Sequence, residues 1–464
     1  MSIQSRRASH FISSEAAEAI GLRQARMRLR IREAGAHASM LLLRGMLQRI
    51  IRKGALTIIG PSGRSYIVGE GAPSVTIRVL DTSSIPQILL NPDLGFGEAY
   101  MDGALTFEGG DIYDFLDLCF INLGWSSGTG LMQVRAALRR CFRRISQHNP
   151  IPVASANVAH HYDLSDTLYD LFLDADRQYS CAYFISPDDT LEVAQEQKKR
   201  HLAAKLLLHP GQRILEIGSG WGGLAIYLAQ VGGADVTGLT LSTGQCAYAR
   251  RCAQEACIDE QVRFELKDYR QQDGRYDRIV SVGMFEHVGV GHYREYFEKL
   301  RNLLEDDGVA LIHTIGRADG GGASNAWINK YIFPGGYVPA LSEILPAIER
   351  AGLYVTDIEV LRLHYAETLK AWRLRFNANR ERVAEIYDNR FCRMWEFYLA
   401  GCEAAFRHGG LINFQLQLSK RVDAVPLTRD YALEWERSHS GKTALANFLP
   451  AASQYPCNGG GLAK

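Results

Sequence analysis

A carboxylate and an imidazole, Glu286 in SVGMFEHVG and His313 in LIHTIG, each fall where an apolar strand-like run ends. On neighbouring strand ends such a pair can share one small polar site and move a proton there. Taken singly, each is more often a structural hydrogen-bonding residue. A second group lies upstream, in RILEIGSGWGG from Arg213 to Gly223. Its glycines, Gly218, Gly220 and Gly222, permit close backbone approach and φ values that other residues resist. With Ser219 they read as a turn between a strand and a helix, the place where doubly wound α/β folds bind nucleotide-like ligands. Glu216 lies inside this turn. A pyrophosphate wants backbone N–H groups and no nearby anion. S-adenosylmethionine (SAM) has no phosphate, so the acid favours SAM. The turn alone also fits a dinucleotide fold or a plain tight turn.

Two further strand ends add polar groups to the same rim. GLTLSTGQ supplies Thr240, Leu241, Ser242 and Gln245 where an acid often meets the ribose. Ser242 also fits a helix N-cap. KDYR supplies Asp268, placed to accept from an adenine amino group, and Tyr269. A turn aspartate is the plainer reading of Asp268.

These residues need a parallel sheet to position them. Strand patterns fall near 213–217, 234–239, 262–266, 277–282 and 308–314, with helical patterns between them. Such alternation predicts a parallel sheet with helices on both faces. Residues 323–407 read as mostly helical with a strand near 354–361, and Ile412 to Ser419 is expected to close the sheet antiparallel. Before this lies a small α+β module, with short strands at 56–59, 66–68 and 75–80 and helices at 84–91 and 112–121. Residues 1–53 read as an amphipathic helix with Met40, Leu41, Leu42 and Leu43 on its apolar face. The tail 440–464 is rich in Gly, Ser and Asn, a composition that resists ordering.

The chain has 464 residues, 47% hydrophobic and 22% charged, enough for at least two cores. A net charge of +1 gives no general attraction to nucleic acid. Charge is uneven, however. Residues 1–53 hold eleven Arg or Lys, among them Arg23 and Arg28, against three Glu. A second basic run includes Arg135, Arg139, Arg140, Arg143 and Arg144. Basic helical patches beside apolar residues suit an anionic membrane surface, or simply a solvated face. Nine cysteines without C-x-x-C spacing indicate no zinc site. The odd count and the lack of a secretory segment lead to an expected cytoplasmic location, peripheral at the inner face of the membrane.

Six motifs in order carry a resemblance. They are NVAHHYDLSDTLYDLFLDADRQYSCAYF (157–184), LEIGSGWGG, LTLSTGQ, MFEHVG, NAWINKYIFPGGYVP (325–339) and HYAETLKAW (364–372). Over roughly residues 150–425 the chain closely resembles the cyclopropane-fatty-acyl-phospholipid synthases and the related mycolic acid synthases and methyltransferases. LGFGEAYMDG (94–103) is similar to the lipid-associated small domain of the phospholipid enzymes.

The resemblance implies a Rossmann-like class I SAM-dependent methyltransferase domain at 149–425. It implies a smaller α+β lipid-associated domain at 54–148; the basic segment at 1–53 and the tail at 426–464 depart from the family, being longer than the resemblance needs. It implies methyl transfer from SAM to a cis double bond of an unsaturated phospholipid acyl chain. Proton loss from the resulting cation closes a cyclopropane ring. A bound bicarbonate is the implied base, held by Glu286, His313 and Tyr365, with backbone N–H groups near Cys181 and Ile315. Tyr179 and Ser180 are implied contacts to the carboxylate end of SAM. Cys402 matches a family position regarded as catalytic, and Cys181 invites the same idea, although the chemistry needs no covalent intermediate. His160, His161 and Tyr162 are expected at the mouth of the site. Tyr331, Phe333, Tyr337 and Trp372 are expected along a lipid channel or in the core. A peripheral membrane contact and a homodimer are the implied partners. The nearest alternative loses a different proton and yields a methyl-branched alkene. A lipid-binding module without catalysis is the alternative from another class.

Overall fold

The computed structural model describes residues 14–124, 147, 150 and 164–440, with side chains in the first helix at 23, 27, 28 and from 33 onward. The basic run at 135–144, His160, His161, Tyr162, the expected boundary at 148 and the tail from 441 lie outside the described residues. The chain divides into two compact units between Asp111 and Ile112.

The first unit opens with helix α1 (Ser14–Ile50). Met40, Leu43, Leu47 and Ile51 are buried at helical spacing, while Leu41 and Leu42 are 45% and 62% exposed. Four consecutive residues turn through more than one helix face, so the expected Met40–Leu43 stripe holds for Met40 and Leu43 only. Arg23 and Arg28 are exposed. Strands β1 (Gly54–Ile59), β2 (Ser65–Glu70) and β3 (Ser74–Val79) follow. Helices α2 (Ile85–Leu90) and α3 (Pro92–Met101) come next. Strand β4 (Leu105–Gly109), which the sequence pattern did not reveal, completes a sheet of order β2-β1-β3-β4. It is short and only its first residue is buried, so it shows no alternation.

The second unit begins with α4 (Ile112–Leu123), α5 (Asp166–Asp170) and α6 (Leu191–Lys205). The parallel core then runs β5 (Arg213–Ile217), α7 (Gly223–Gly232), β6 (Asp235–Thr240), α8 (Thr243–Glu255) and β7 (Val262–Leu266). It continues through β8 (Tyr276–Val282), α9 (Tyr293–Leu303) and β9 (Leu304–Arg317). Helices α10 (Ala326–Tyr331) and α11 (Leu341–Arg350) lead to β10 (Tyr354–Val360). Helices α12 (His364–Ala378), α13 (Arg380–Ile386) and α14 (Asn389–His408) precede β11 (Leu411–Ser419) and α15 (Asp430–Ser438).

The seven strands are ordered β10-β11-β9-β8-β5-β6-β7. β5 pairs in parallel with both β6 and β8, so strand order reverses there. The crevice beyond their carboxyl ends is the expected ligand position. β11 inserts antiparallel to both β9 and β10, as the sequence pattern leads one to expect. Alternate strand residues serve opposite faces. Leu215, Ile217, Ile279 and Ile312 pack toward α9 and α11, whereas Ile214, Val236, Val280 and Leu311 pack toward α7 and α8. Both faces are covered, so the sheet can stay parallel through its centre. No described helix is long and apolar enough to cross a membrane.

Candidate active site

A cavity opens at the strand-order reversal. Glu216, Gly218, Ser219 and Gly220 line it, as do Thr240, Leu241, Gln245, Asp268, Tyr269, Tyr179 and Ser180. Two sequence candidates stand behind it instead. Ser242 caps α8, its Oγ accepting from the Gln245 N–H at 3.3 Å. Gly222 adopts φ +90°, and a Cβ there would meet Phe264 at 2.6 Å and Ala249 at 2.8 Å. Its task is to let α7 start against β7. Gly218, also at φ +90°, faces Met284 across the cavity wall, where a Cβ would come within 2.9 Å.

Asp268 is buried and binds the Arg270 guanidinium through both oxygens, at 2.8 and 2.7 Å. It also accepts from the Arg270 N–H, so the turn role and the cavity position coexist. The Tyr179–Ser180 wall is held by α6. Gln195 Nε2 donates to the carbonyls of Gln178 and Ser180, and Lys198 Nζ donates to Gln178 Oε1 at 2.6 Å and Ser180 Oγ at 2.8 Å. Burial pulls the Lys198 ammonium down to about 8. Lys198, Arg177, Gln178 and His287 escaped the sequence reading. Lys198 sits in QEQKKRHLAAK, a run whose charge reads as a solvated face.

SAM fits this cavity on two observations. Glu216 Oε2 and Ser219 Oγ are buried without a hydrogen-bond partner among the described residues, at the wall where a polar ligand would meet them. Gly218 and Gly220 of the glycine turn line the cavity beside them.

The expected base residues lie behind the cavity rather than in its lining. His313 pairs across the ladder with Val282, a cavity residue, and its carbonyl accepts from Gly283 N–H at 2.9 Å. Glu286 sits in the turn after β8. Its Oε1 accepts from the Ile315 N–H at 2.7 Å, and its Oε2 is buried without a partner among the described residues. Burial raises the Glu286 carboxyl above its ordinary range. The Ile315 N–H, expected to face a ligand, is thus engaged by Glu286. His313 likewise differs from expectation. Gln415 lies 3.1 Å from Nδ1 and Asn413 lies 2.7 Å from Nε2. β11 pairs with β9 and presents alternate residues to the imidazole, so both ring nitrogens are occupied.

Tyr365 is buried on α12, its ring 4.8 Å from Phe406 and 5.9 Å from Trp372. One turn on, Thr368 accepts from the Ala182 N–H at 3.0 Å, tying α12 to the Cys181 segment. Tyr179 and Tyr398 hydroxyls meet at 2.8 Å. Burial pushes the thiols of both Cys181 and Cys402 up to about 12. Neither is a thiolate at neutral pH, which opposes a nucleophilic role. Trp372 packs 5.1 Å from Tyr179, and Phe333 lies 6.1 Å from His287. Tyr337 is a core residue whose hydroxyl donates to Glu343 at 2.7 Å, and Tyr331 packs on Trp327.

The family model for mycolic acid cyclopropane synthetase matches residues 151–416, and one for a domain of unknown function matches 46–122. The chain belongs to the cyclopropane-fatty-acyl-phospholipid synthase and mycolic acid methyltransferase family. It is 39% identical over 363 residues to a probable fatty acid methyltransferase of Pseudomonas putida, covering 76% of this chain and 89% of that one. It is 37% identical over 366 residues to the cyclopropane-fatty-acyl-phospholipid synthase of Escherichia coli K12, covering 78% and 92%. The mycolic acid cyclopropane synthase CmaA1, solved with SAH and CTAB, superposes with a TM-score of 0.54 at 35% identity, over 57% of this chain and 97% of that one. The fold is therefore the Rossmann-like SAM-methyltransferase fold with an additional domain, and the protein is a SAM-dependent methyltransferase of this family.

Family membership gives the buried acid of the cavity a testable consequence. Burial pushes Glu216 from an ordinary 4.5 up to about 8, with Lys198 opposing. The folded protein holds a proton there that the unfolded chain releases. Stability from this group is full below about 4.5 and is lost as pH rises through about 8. A cation beside Glu216 favours its carboxylate. SAM carries a sulfonium and an ammonium, so its binding at neutral pH is expected to release a proton. Calorimetry in buffers of different ionisation enthalpy measures this, and Glu216→Gln should remove the effect. A buffer-independent enthalpy in the unaltered enzyme would detach Glu216 from the cofactor.

Proposed function

We propose that this methyltransferase adds a methylene unit from SAM to the cis double bond of unsaturated phospholipid acyl chains, forming cyclopropane fatty acids. The observation that carries the reading is the buried Glu286, with one carboxylate oxygen unpartnered among the described residues, set directly behind the wall of the cofactor cavity. The similarity to the Escherichia coli synthase over 92% of its length supports the phospholipid substrate.

SAM supplies an electrophilic methyl group when bound. The acyl double bond is the nucleophile, so no protein nucleophile is needed, in keeping with the protonated thiols. Glu216, Ser219, Thr240, Gln245 and Asp268 bind and orient the cofactor. The aromatic side chains of Tyr179, Trp372 and Tyr365 exclude water and present ring faces that favour developing positive charge. Ring closure then requires a base for one proton. Bicarbonate fits Glu286 Oε2, which has no donor among the described residues, and would be held by Glu286, Tyr365 and the backbone near Cys181; His313 and the Ile315 N–H would join once they leave Asn413 and Glu286. It would supply an anionic general base there. A peripheral membrane contact and a homodimer belong to the same reading.

The similarity to the Pseudomonas putida fatty acid methyltransferase favours a second ending, loss of another proton to leave a methyl-branched alkene. Both products gain one CH₂, so mass alone does not separate them. The purified enzyme should be incubated with SAM and vesicles of unsaturated phospholipid, and the extracted lipids read by proton NMR. Upfield cyclopropane methylene signals are expected. A vinylic methyl signal would replace the first reading with the second, and no release of S-adenosylhomocysteine would remove both.

A further inference from the structure

The charged face of α6 is buried. Lys198, His201 and Lys205 recur at helical spacing and are 1%, 7% and 5% exposed. Lys198 reaches the cofactor wall. Lys205 reaches the other way, toward β11. Its Nζ donates to Gln415 Oε1 at 2.8 Å and to Glu359. His201 Nε2 meets the same Glu359 at 2.7 Å, and its Nδ1 meets Glu436 on α15.

This chain of contacts has a direction, because an ammonium can only donate. Gln415 must therefore turn its oxygen to Lys205, which leaves its NH₂ facing His313 Nδ1. An NH₂ only donates, so Nδ1 is the acceptor and the ring proton sits on Nε2. Asn413 Nδ2 lies 2.7 Å from Nε2 and its Oδ1 has no partner among the described residues, so the two amide atoms must exchange places for the oxygen to accept from Nε2–H. Gln415 is the direct cross-strand partner of His313, is 1% exposed, and cannot rotate without leaving Lys205 short of an acceptor.

We propose that Lys205 and Gln415 are positioning residues that fix His313 as the neutral Nε2–H tautomer beside the base site. The inference rests on the reading that His313 belongs to that site. The charged groups facing the imidazole are Lys198, His201 and Lys205 on α6, and Glu359 on β10. The Cys181 thiol lies against Asn413. Burial and the three basic groups hold His313 well below its ordinary range, with Glu359 opposing, so the ring is neutral at working pH.

Gln415→Glu tests this. A carboxylate keeps an acceptor for Lys205 but cannot donate to Nδ1, so it draws a proton onto that nitrogen. The expected result is a kcat lower by about tenfold or more, an unchanged Kd for SAM, and an acidic limb of the kcat/KM profile moved to higher pH. Lys205→Met, which frees the Gln415 amide to turn, should lower kcat in the same way, with Lys205→Arg restoring it. If Gln415→Glu does not fold, by circular dichroism and thermal melting, the Lys205 pair decides. A folded Gln415→Glu enzyme with unaltered kcat and pH profile, beside an impaired His313→Ala enzyme, overturns the tautomer assignment alone. A His313→Ala enzyme of full activity overturns the base-site reading itself.

Discussion

Replacing Glu286 by glutamine is expected to reduce turnover by about a hundredfold or more, with SAM affinity unchanged. The side chain keeps its shape, and its oxygen can still accept from the Ile315 N–H that Oε1 now holds at 2.7 Å. What changes is the second oxygen. Oε2 is buried and has no partner among the described residues, and the substitution puts an NH₂ there, a group that only donates. A group that must accept a proton, or accept from a bound base, is thereby removed. Glu286 does not line the cofactor cavity, so binding of SAM should be spared. Titration calorimetry with SAM and steady-state turnover on vesicles separate the two quantities. A Glu286→Gln enzyme that loses SAM affinity would move this residue into the cofactor site. One that turns over normally would end its role in proton transfer.

Gly222→Ala is expected to cost more stability than the same change at Gly220. Alanine at φ +90° is strained by ~1–2 kcal/mol. Its Cβ would also press on Phe264 and Ala249, both buried, at 2.6 and 2.8 Å. Overpacking of this kind costs a further ~1–3 kcal/mol. Relief would push α7 away from β7 and open the turn that carries Gly218 to Gly220. Gly220→Ala is the control. Gly220 has φ +54°, and nothing lies within 4 Å of its added Cβ. It should lose only the conformational share. Thermal melting of the two variants, with and without SAM, measures the difference. Equal melting temperatures would show that the contact with Phe264 relaxes freely.

Much of the catalytic unit was legible beforehand. The strands near 213–217, 262–266, 277–282 and 354–361 lie where period and turn residues placed them, because apolar alternation and glycine act through local backbone geometry. The antiparallel return of Ile412 to Ser419 was legible for the same reason. β4 was not, since a short strand with one buried residue carries no alternation. The segment 425–431 carries no motif that assigns it a role. In the fold Arg429 pairs with Asp357, Tyr431 accepts from Gln417 at 2.8 Å, and Glu436 reaches His201.

The sequence by itself determined the sheet, the glycine cradle, and many of the side chains that line the cavity, because these follow from neighbours in the chain. Only the tertiary structure decided what surrounds the base. Asn413 and Gln415 stand 100 and 102 residues from His313, and pairing of β11 with β9 alone brings them to its two nitrogens. The lysines of α6 read as a solvated face and are buried, since their partners, Ser180, Glu359 and Gln415, arrive from elsewhere in the fold. Local periodicity records where a chain bends and which way its side chains alternate. It does not record which distant polar group will make burial of a charge tolerable.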